Sequence, residues 1–388
     1  MSDSTQPAPP PAAAPGAATG ERRRTRVALV FGGRSGEHAI SCATAAGVLR
    51  ALDRERYDVL PIGITPSGQW VLAPDDPDAL SIAGGELPHV AEAGGDVVLP
   101  MADARRELTV TEAGELPRSL GEVDVVFPVL HGPFGEDGTL QGLLEMAQLP
   151  YVGSGVLASA AGMDKHYMKV VLAGHGLPVG PYTVITPRQW RTDADAAMDA
   201  VDSLGYPVFV KPARAGSSLG ITKVDHRADL AEAIAEAQRH DPKVVVEAAL
   251  EGREIECAVL EGRGDDAPRT ALPGEIVVDG HDFYDFEAKY LDAAHVQLSC
   301  PAELPQQVID EVRVVAARAF EALGCEGLAR VDFFVTGSGR VTVNEVNTMP
   351  GFTPYSMYPL MWERSGLPYA ELVDELIQLA MERPVGLR

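Results

Sequence analysis

Residues 329–351 read ARVDFFVTGSGRVTVNEVNTMPG, and this stretch decides how the chain folds. Two runs of β-branched and aromatic residues, Val331–Val335 and Val341–Val346, flank a Gly-Ser-Gly turn signal. The pattern predicts a β-hairpin. A two-residue tip at Ser338 and Gly339 would fix its register, because strand pairing is counted outward from the turn.

That register brings four polar side chains onto one face of the hairpin. Asp332 is expected opposite Glu345, and Arg330 opposite Asn347. Two carboxylates roughly 5 Å apart repel each other unless a cation lies between them. Oxygen ligands of this kind suit Mg²⁺, so we predict a metal site here, with a solvated polar face as the alternative. If the carboxylates are exposed, replacing Asp332 by Asn should leave the fold intact.

The composition favours a cytoplasmic protein that acts on a small molecule. The chain has 388 residues, 46% of them hydrophobic, which is enough for two or three domains with proper cores. Its net charge of -24 argues against binding to nucleic acid or to anionic membranes, so neither is expected as a partner. The four cysteines have no zinc or C-x-x-C spacing and are expected to be reduced thiols. No apolar run reaches the roughly 18 residues that span a bilayer.

The first part of the chain has the pattern of an α/β unit. Residues 1–25 are rich in Pro, Ala and Gly and are expected to form a disordered tail. From Arg26 there follow a strand, a glycine loop, a helix near 37–52 and a strand near 57–64. Glu37 stands where the glycine loop meets the helix. This is a place for a ligand, or simply for an acid that the helix dipole favours.

A second glycine-rich loop follows the next buried strand, 123–130. It reads HGPFGEDG from His131 to Gly138, and loops after strands are where open α/β sheets bind ligands. A solvated histidine in a turn is the equal alternative. Residues 74–117, between the two loops, have no clear pattern.

The middle of the chain has features that suit phosphate groups. A strand that ends at Lys211 leads into the small-residue loop PARAGSSLG, and Lys165 lies upstream on a predicted helix. Glu247 and Glu254 stand at a strand end and just past a turn, where carboxylates could accept from adenine and ribose. A hairpin turn and ordinary surface polarity are the alternatives. Residues 280–290 are rich in aromatics and are expected to form a loop that closes over a site.

Together, these motifs resemble those of the D-alanine:D-alanine ligases of the ATP-grasp superfamily. The resemblance covers 26–382 and rests on seven motifs in order: GG to E at 32–37, HGxxGEDG at 131–138, MDK at 163–165, KP then GSSLG at 211–220, FYDFEAKY at 283–290, ARVD at 329–332 and NEVNTMPG at 344–351. It implies an α/β fold, α+β in the ATP-binding part, with three-domain ATP-grasp architecture. The expected domains are 26–153, with a parallel sheet, then 154–249 and 250–388.

The resemblance also implies a role for each matching residue. Asp332, Glu345 and Asn347 correspond to the ligands of two Mg²⁺ ions, which Mn²⁺ could replace. The residues implied in ATP binding are Lys165, Lys211, Ser218, Glu247, Leu250 and Glu254. Those implied in holding the two substrates are His131, Lys289, Ser356 and Met357. Those implied in catalysis are Glu37, Ser217, Tyr290, Arg330 and Gly351, the last two as stabilisers of a tetrahedral oxyanion.

The implied reaction joins two D-alanine molecules through a D-alanyl phosphate, releasing ADP and phosphate, for peptidoglycan precursor synthesis by a homodimer. Tyr290 and Phe286 favour D-alanine over D-lactate as the second substrate; a ligase of the same family for D-lactate or D-serine is the alternative. A nucleotide-binding module that has lost catalysis is disfavoured because the metal residues and Arg330 are all present. An ATP-grasp ligase for other substrates is disfavoured by Glu37, His131, Ser217 and Tyr290.

Overall fold

A computed structural model of the chain describes residues 23–82, 87–100, 106–112, 114–216, 219–278, 296–384 and 386. The strands in chain order are β1 (Thr25–Gly32), β2 (Tyr57–Ile64), β3 (Trp70–Leu72), β4 (Asp96–Val98), β5 (Glu107–Thr111), β6 (Arg118–Glu122), β7 (Val125–Pro128), β8 (Tyr182–Ile185), β9 (Val208–Pro212), β10 (Thr222–Val224), β11 (Val244–Ala248), β12 (Arg253–Leu260), β13 (Arg269–Thr270), β14 (Gly274–Val278), β15 (Val296–Ser299), β16 (Leu328–Val335) and β17 (Val341–Asn347).

The helices in chain order are α1 (His38–Ala51), α2 (Thr139–Met146), α3 (Val156–Met163), α4 (Lys165–Gly174), α5 (Pro187–Thr192), α6 (Ala194–Asp202), α7 (Leu230–Ala237), α8 (Gln306–Leu323), α9 (Met357–Arg364) and α10 (Tyr369–Glu382). A short 3₁₀ turn, Arg227–Asp229, precedes α7. The strand expected near 57–64 is confirmed, whereas α9 was not predicted.

The first sheet is mixed, with strand order β6-β5-β4-β3-β2-β1-β7. Only β1 runs parallel to its neighbours, β2 and β7, and the other pairings are antiparallel. The apolar run Val27–Phe31 in β1 is buried throughout, as expected for a strand covered on both faces. The expected parallel unit is therefore present, and β4 and β5, which lie within the unpatterned stretch 74–117, extend the sheet as antiparallel strands.

Two further sheets contribute side chains to the site, and the space where these side chains meet is here called the cleft. One has the order β10-β9-β11-β8, and the other the order β15-β14-β12-β16-β17 with β13 paired to β12. Helices α3 and α4 pack into the core of the last sheet through Ala158, Met168 and Leu172. The fold class is confirmed as α/β with separate sheets.

The C-terminal helices close the structure by packing on the first sheet. Phe352, Tyr358 and Leu376 share one buried core with residues of β1 and β7. Arg383 then donates to the carbonyls of Gly153 and Tyr151 at 3.0 Å. The C-terminal helices and the first sheet thus stabilise each other.

Candidate active site

The hairpin of β16 and β17 has the expected pairing but a different turn. Asp332 pairs with Glu345 and Arg330 with Asn347, as predicted. The loop is not the two-residue tip, however, because Thr336 N–H donates to Arg340 O at 3.1 Å across three loop residues. The longer loop shifts the strand pairing by one residue, and a β-bulge next to Asp332 shifts it back by one. Asp332 and Glu345 therefore still face each other.

Arg330 lies among carboxylates on this face. Its Nε and Nη2 donate to the two carboxylate oxygens of Asp332, each at 2.7 Å, and Nη2 lies 3.2 Å from Glu256 on β12. Asn347 Nδ2 also donates to Asp332, at 3.0 Å. Burial would lower the pKa of Arg330, but Asp332 and Glu256 outweigh it and raise the pKa further above its already high range. Only 13% of the Asp332 side chain is exposed, so the expectation of exposed carboxylates is wrong for this residue.

Two lysines, one from α4 and one from β9, lie near this carboxylate face. Lys165, the first residue of α4, donates to Ala215 O at 2.8 Å, and its Nζ lies 3.8 Å from Glu345 on the hairpin. Burial, the largest influence, lowers the pKa of Lys165, and Glu345 opposes that shift. Lys211 on β9 donates to Glu247 on β11 at 2.7 Å. The structure therefore brings both predicted lysines to one cleft.

Lys169 is a further cleft residue that the sequence reasoning missed. It lies one helical turn after Lys165 on α4, and its buried Nζ is 3.0 Å from Glu247. Burial alone would raise the pKa of Glu247, but Lys211 and Lys169 overcome it and hold the pKa at about 2. The spacing Lys165-x-x-x-Lys169, which puts two cations on one helix face, was the available signal.

Two other predicted nucleotide residues flank this group. Glu254 is an exposed residue near the start of β12. Burial would lower the pKa of Lys211, but Glu247 outweighs burial and raises it, and the charges of Glu345 and Glu254 add to the increase. Leu250 packs against Gly180, where an added Cβ would come within 2.9 Å of a leucine methyl. Glu254 thus lies on the sheet that carries the hairpin, whereas Leu250 follows β11, the strand of Glu247.

The N-terminal side of the site is built around Glu37. Although Glu37 precedes α1, its side chain makes no capping hydrogen bond, so helix capping does not explain it. A Cβ added at Gly132 or Gly216 would lie 2.6 or 2.9 Å from the Glu37 carboxylate. Glycine at these two positions leaves room for the carboxylate. The first glycine loop, the HGPFGEDG loop and the small-residue loop therefore meet around Glu37.

His131 and Glu136 join this side to the end of the hairpin. His131 is buried, and its Nδ1 lies 3.2 Å from Met349 O, which makes the alternative of a solvated histidine wrong. Burial lowers the pKa of His131. Glu136, which the sequence reasoning did not single out, accepts from Gly132 N–H at 2.6 Å. Burial, followed by the charge of Glu37, raises the pKa of Glu136 to about 8.

The chain after the hairpin supplies the remaining predicted residues that the structure describes. A Cβ added at Gly351 would lie 3.3 Å from Ser356 Oγ, so these two residues are neighbours. Ser356 Oγ accepts from Thr353 N–H at 3.1 Å. Met357 is 5% exposed and packs in the core against Gly274, so it supports the site by packing. The predicted residues Ser217, Ser218, Lys289 and Tyr290 lie outside the described residues.

The hairpin face has the chemistry of a magnesium site. Asp332, Glu345 and Asn347 offer hard oxygen atoms on paired strands, which Mg²⁺ prefers. In the part of the chain that the structure describes, no three His, Cys, Asp or Glu side chains cluster as a metal site. A set with two carboxylates and one amide does not need such a cluster, since Mg²⁺ takes its other ligands from phosphates and water.

Comparison with known proteins identifies the family to which the chain belongs. The architecture is that of ATP-grasp enzymes. Residues 26–154 match the family described as D-ala D-ala ligase N-terminus, and 171–378 match D-ala D-ala ligase C-terminus. The chain belongs to the D-alanine–D-alanine ligase family and is an ATP-dependent ligase.

Individual relatives match along nearly their whole length. The D-alanine–D-alanine ligase of Pseudarthrobacter chlorophenolicus is 61% identical over 95% of this chain and 97% of its own. That of Kineococcus radiotolerans is 62% identical over 94% of this chain and 99% of its own. Among solved structures, VanG D-Ala:D-Ser ligase from Enterococcus faecalis has a TM-score of 0.79 at 35% identity, covering 92% of this chain and 100% of that one. The D-alanine-D-alanine ligase from Coxiella burnetii has a TM-score of 0.77 at 36% identity, covering 93% and 94%.

Within the described residues, no helix is both long enough and apolar enough to cross a membrane.

Proposed function

We propose that the cleft between the last two sheets carries out phosphoryl transfer and that the loops around Glu37 select the first substrate. The chain joins two D-alanine molecules with ATP, as its family does. The observation that carries the assignment of the site is the placement of Lys165 within 3.8 Å of Glu345. A phosphate-binding cation and a metal-binding acid that form one ion pair lie within reach of the same polyphosphate group.

In the proposed reaction, the carboxylate of the first D-alanine attacks the γ-phosphorus of ATP, and ADP leaves. The amine of the second D-alanine then attacks the acyl carbon, and phosphate leaves as the peptide bond forms. Glu37 and His131 hold the first substrate, while Lys165 and Lys211 bind phosphate oxygens. Mg²⁺, held by the residues at the carboxylate face of the hairpin, would supply charge neutralisation at the phosphates.

Arg330 is proposed to stabilise the oxyanion of the second step together with the Gly351 N–H. Its guanidinium is largely buried and is fixed by Asp332, so it is oriented before the substrate arrives. Fixed charges of this kind stabilise a transition state without reorganisation. Ser217 and Tyr290 are proposed to close the site over Glu37, and Ser356 with Lys289 to hold the second carboxylate.

Specificity for the second substrate is proposed to be for D-alanine. The curated relatives that are about 60% identical to this chain are named D-alanine–D-alanine ligases, whereas among the solved structures a D-serine enzyme and a D-alanine enzyme are about equally similar, at 35% and 36%. The test is phosphate release with D-alanine and with L-alanine, together with mass analysis of products formed with D-lactate or D-serine from about pH 6 to about pH 9. Absence of D-alanine-dependent release would refute the reaction, and mostly depsipeptide at neutral pH would refute the specificity.

The expected homodimer, the cytoplasmic location and the domain limits at 153/154 and 249/250 are also proposals. The four cysteines are unpaired, which suits a reducing compartment. Light scattering on the purified chain tests the dimer, and a monomer at micromolar concentration would contradict it.

A further inference from the structure

Lys169 is a buried cation that the reaction as described above does not use. Its side chain is 2% exposed, and its Nζ lies 3.0 Å from Glu247 and donates to Asn344 O at 3.3 Å. A lysine is almost never buried so fully unless it is paired. Its position therefore depends on Glu247, and the position of Glu247 depends on it.

Glu247 has two lysine partners, and the proposed function requires one of them for another purpose. Lys211 Nζ lies 2.7 Å from Glu247, and it is also the predicted phosphate ligand. When Lys211 binds a phosphate, the buried carboxylate of Glu247 loses one of its two lysine partners. A buried carboxylate with no counter-ion takes up a proton, because burial disfavours its charged form.

We propose that Lys169 is a positioning residue that stays with Glu247 during nucleotide binding and keeps that carboxylate charged while Lys211 binds phosphate. This inference rests on the proposed function of the cleft. Lys169 is suited to the task because it lies on α4, is buried, and already contacts Glu247 and Asn344 O, so it is held in place without a phosphate. Glu247 can then accept from the nucleotide without first changing its charge.

The second contact of Lys169 extends this role to the hairpin. Asn344 lies at the bulge that sets Glu345 opposite Asp332. Lys169 donates to the backbone carbonyl of this irregular residue, where ladder hydrogen bonding is interrupted. One ammonium group thus contacts both the nucleotide carboxylate and the strand that carries a metal ligand.

The test is calorimetric binding of ATP, without D-alanine, in two buffers that differ in ionisation enthalpy. Wild type and Lys169→Arg should take up the same number of protons. Lys169→Met should bind ATP at least about tenfold more weakly at pH 8 and take up about one more proton, since one pKa unit corresponds to tenfold. Lys169→Gln keeps a donor for Asn344 but no charge, so it should show the same extra proton and provides a second neutral variant if Met disrupts folding.

Two controls make the result specific. Lys223→Met removes an exposed lysine of β10, paired only loosely with Asp225 at 3.8 Å, and should bind as wild type does. Combining Glu247→Gln with Lys169→Met should abolish the extra proton, because the group that takes it up is gone. ATP binding by both neutral variants within threefold of wild type, without extra proton uptake, would overturn the inference.

Failure of the proposed function would give a different pattern of phosphate release and proton uptake. If wild type binds ATP but releases no phosphate with D-alanine, the reaction assignment fails while the proton measurement still reports on Lys169. If the reaction proceeds and the neutral variants take up no extra proton, only the inference about Lys169 fails.

Discussion

Replacing Asp332 by Asn tests the hairpin site most directly. The change keeps the shape of the side chain and removes its charge. In the wild type the carboxylate accepts two hydrogen bonds from Arg330 at 2.7 Å and one from Asn347 at 3.0 Å. The amide of the variant retains one acceptor oxygen and turns an NH₂ group toward donors, so about one charge-assisted hydrogen bond is lost.

The cost to stability is therefore moderate. A hydrogen bond to a charged group contributes roughly 1.5–3 kcal/mol, and Arg330 keeps Glu256 at 3.2 Å as a partner, so we expect a loss of about 2 kcal/mol. Catalysis should fall by at least about a thousandfold, because a metal ion stabilises the transition state by several kcal/mol. The fold should persist while the activity is nearly abolished.

The assay follows phosphate release against magnesium concentration, with thermal melting of the same samples. Asp310→Asn, which changes an exposed aspartate on α8, is the matched control and should behave as wild type in both measurements. An Asp332→Asn enzyme with activity within threefold of wild type would refute the metal assignment. An unchanged melting temperature would refute the buried network as drawn.

Three other changes follow from the structure. The pKa of Glu136 is raised from an ordinary 4.5 to about 8, so the native state holds a proton that the unfolded chain loses, and the stability of the protein falls as pH rises from about 4.5 to about 8. The melting temperature of Glu136→Gln should therefore rise relative to that of wild type across this pH range. A difference in melting temperature that stays constant with pH would contradict this. Arg383→Met removes donors to Gly153 O and Tyr151 O and an ion pair with Glu326 at 3.2 Å. Chemical denaturation should therefore show that the free energy of unfolding falls by about 3 kcal/mol. An unchanged denaturation midpoint would contradict these contacts. Burial raises the pKa of three cysteines to about 12 and that of the fourth to about 11. The thiols of the folded protein should therefore react slowly with a disulfide reagent at pH 8. Rapid labelling before unfolding would show instead that the thiols are accessible.

The hairpin shows how a correct prediction can rest on a wrong detail. Counting from a two-residue tip paired Asp332 with Glu345, and the observed pairing is the same. The actual loop is one residue longer, and the bulge restores the register beyond it. A signal was present in the strand, since Val341, Val343 and Val346 are buried at spacings of two and then three. Strict alternation would require spacings of two throughout.

Contacts between distant segments were beyond sequence reasoning. The pattern of Lys165 and Lys169 indicates one helix face, but it does not reveal that Glu247 lies opposite. Likewise, an acid in a glycine loop looks solvated until its burial is known, as at Glu136. Local periodicity predicts elements, whereas the pairing of buried charges depends on how sheets are stacked.

The three-residue turn at 337–339 has a practical consequence for labelling the enzyme. It lies at the far end of the hairpin from Asp332, and Gly337 and Ser338 are exposed. The bulge lies between this turn and the pairing of Asp332 with Glu345, so a longer loop would leave the carboxylates in register. Exposed turns of small residues accept inserted sequence readily. A short peptide carrying a fluorophore could be inserted there to follow the protein while it works.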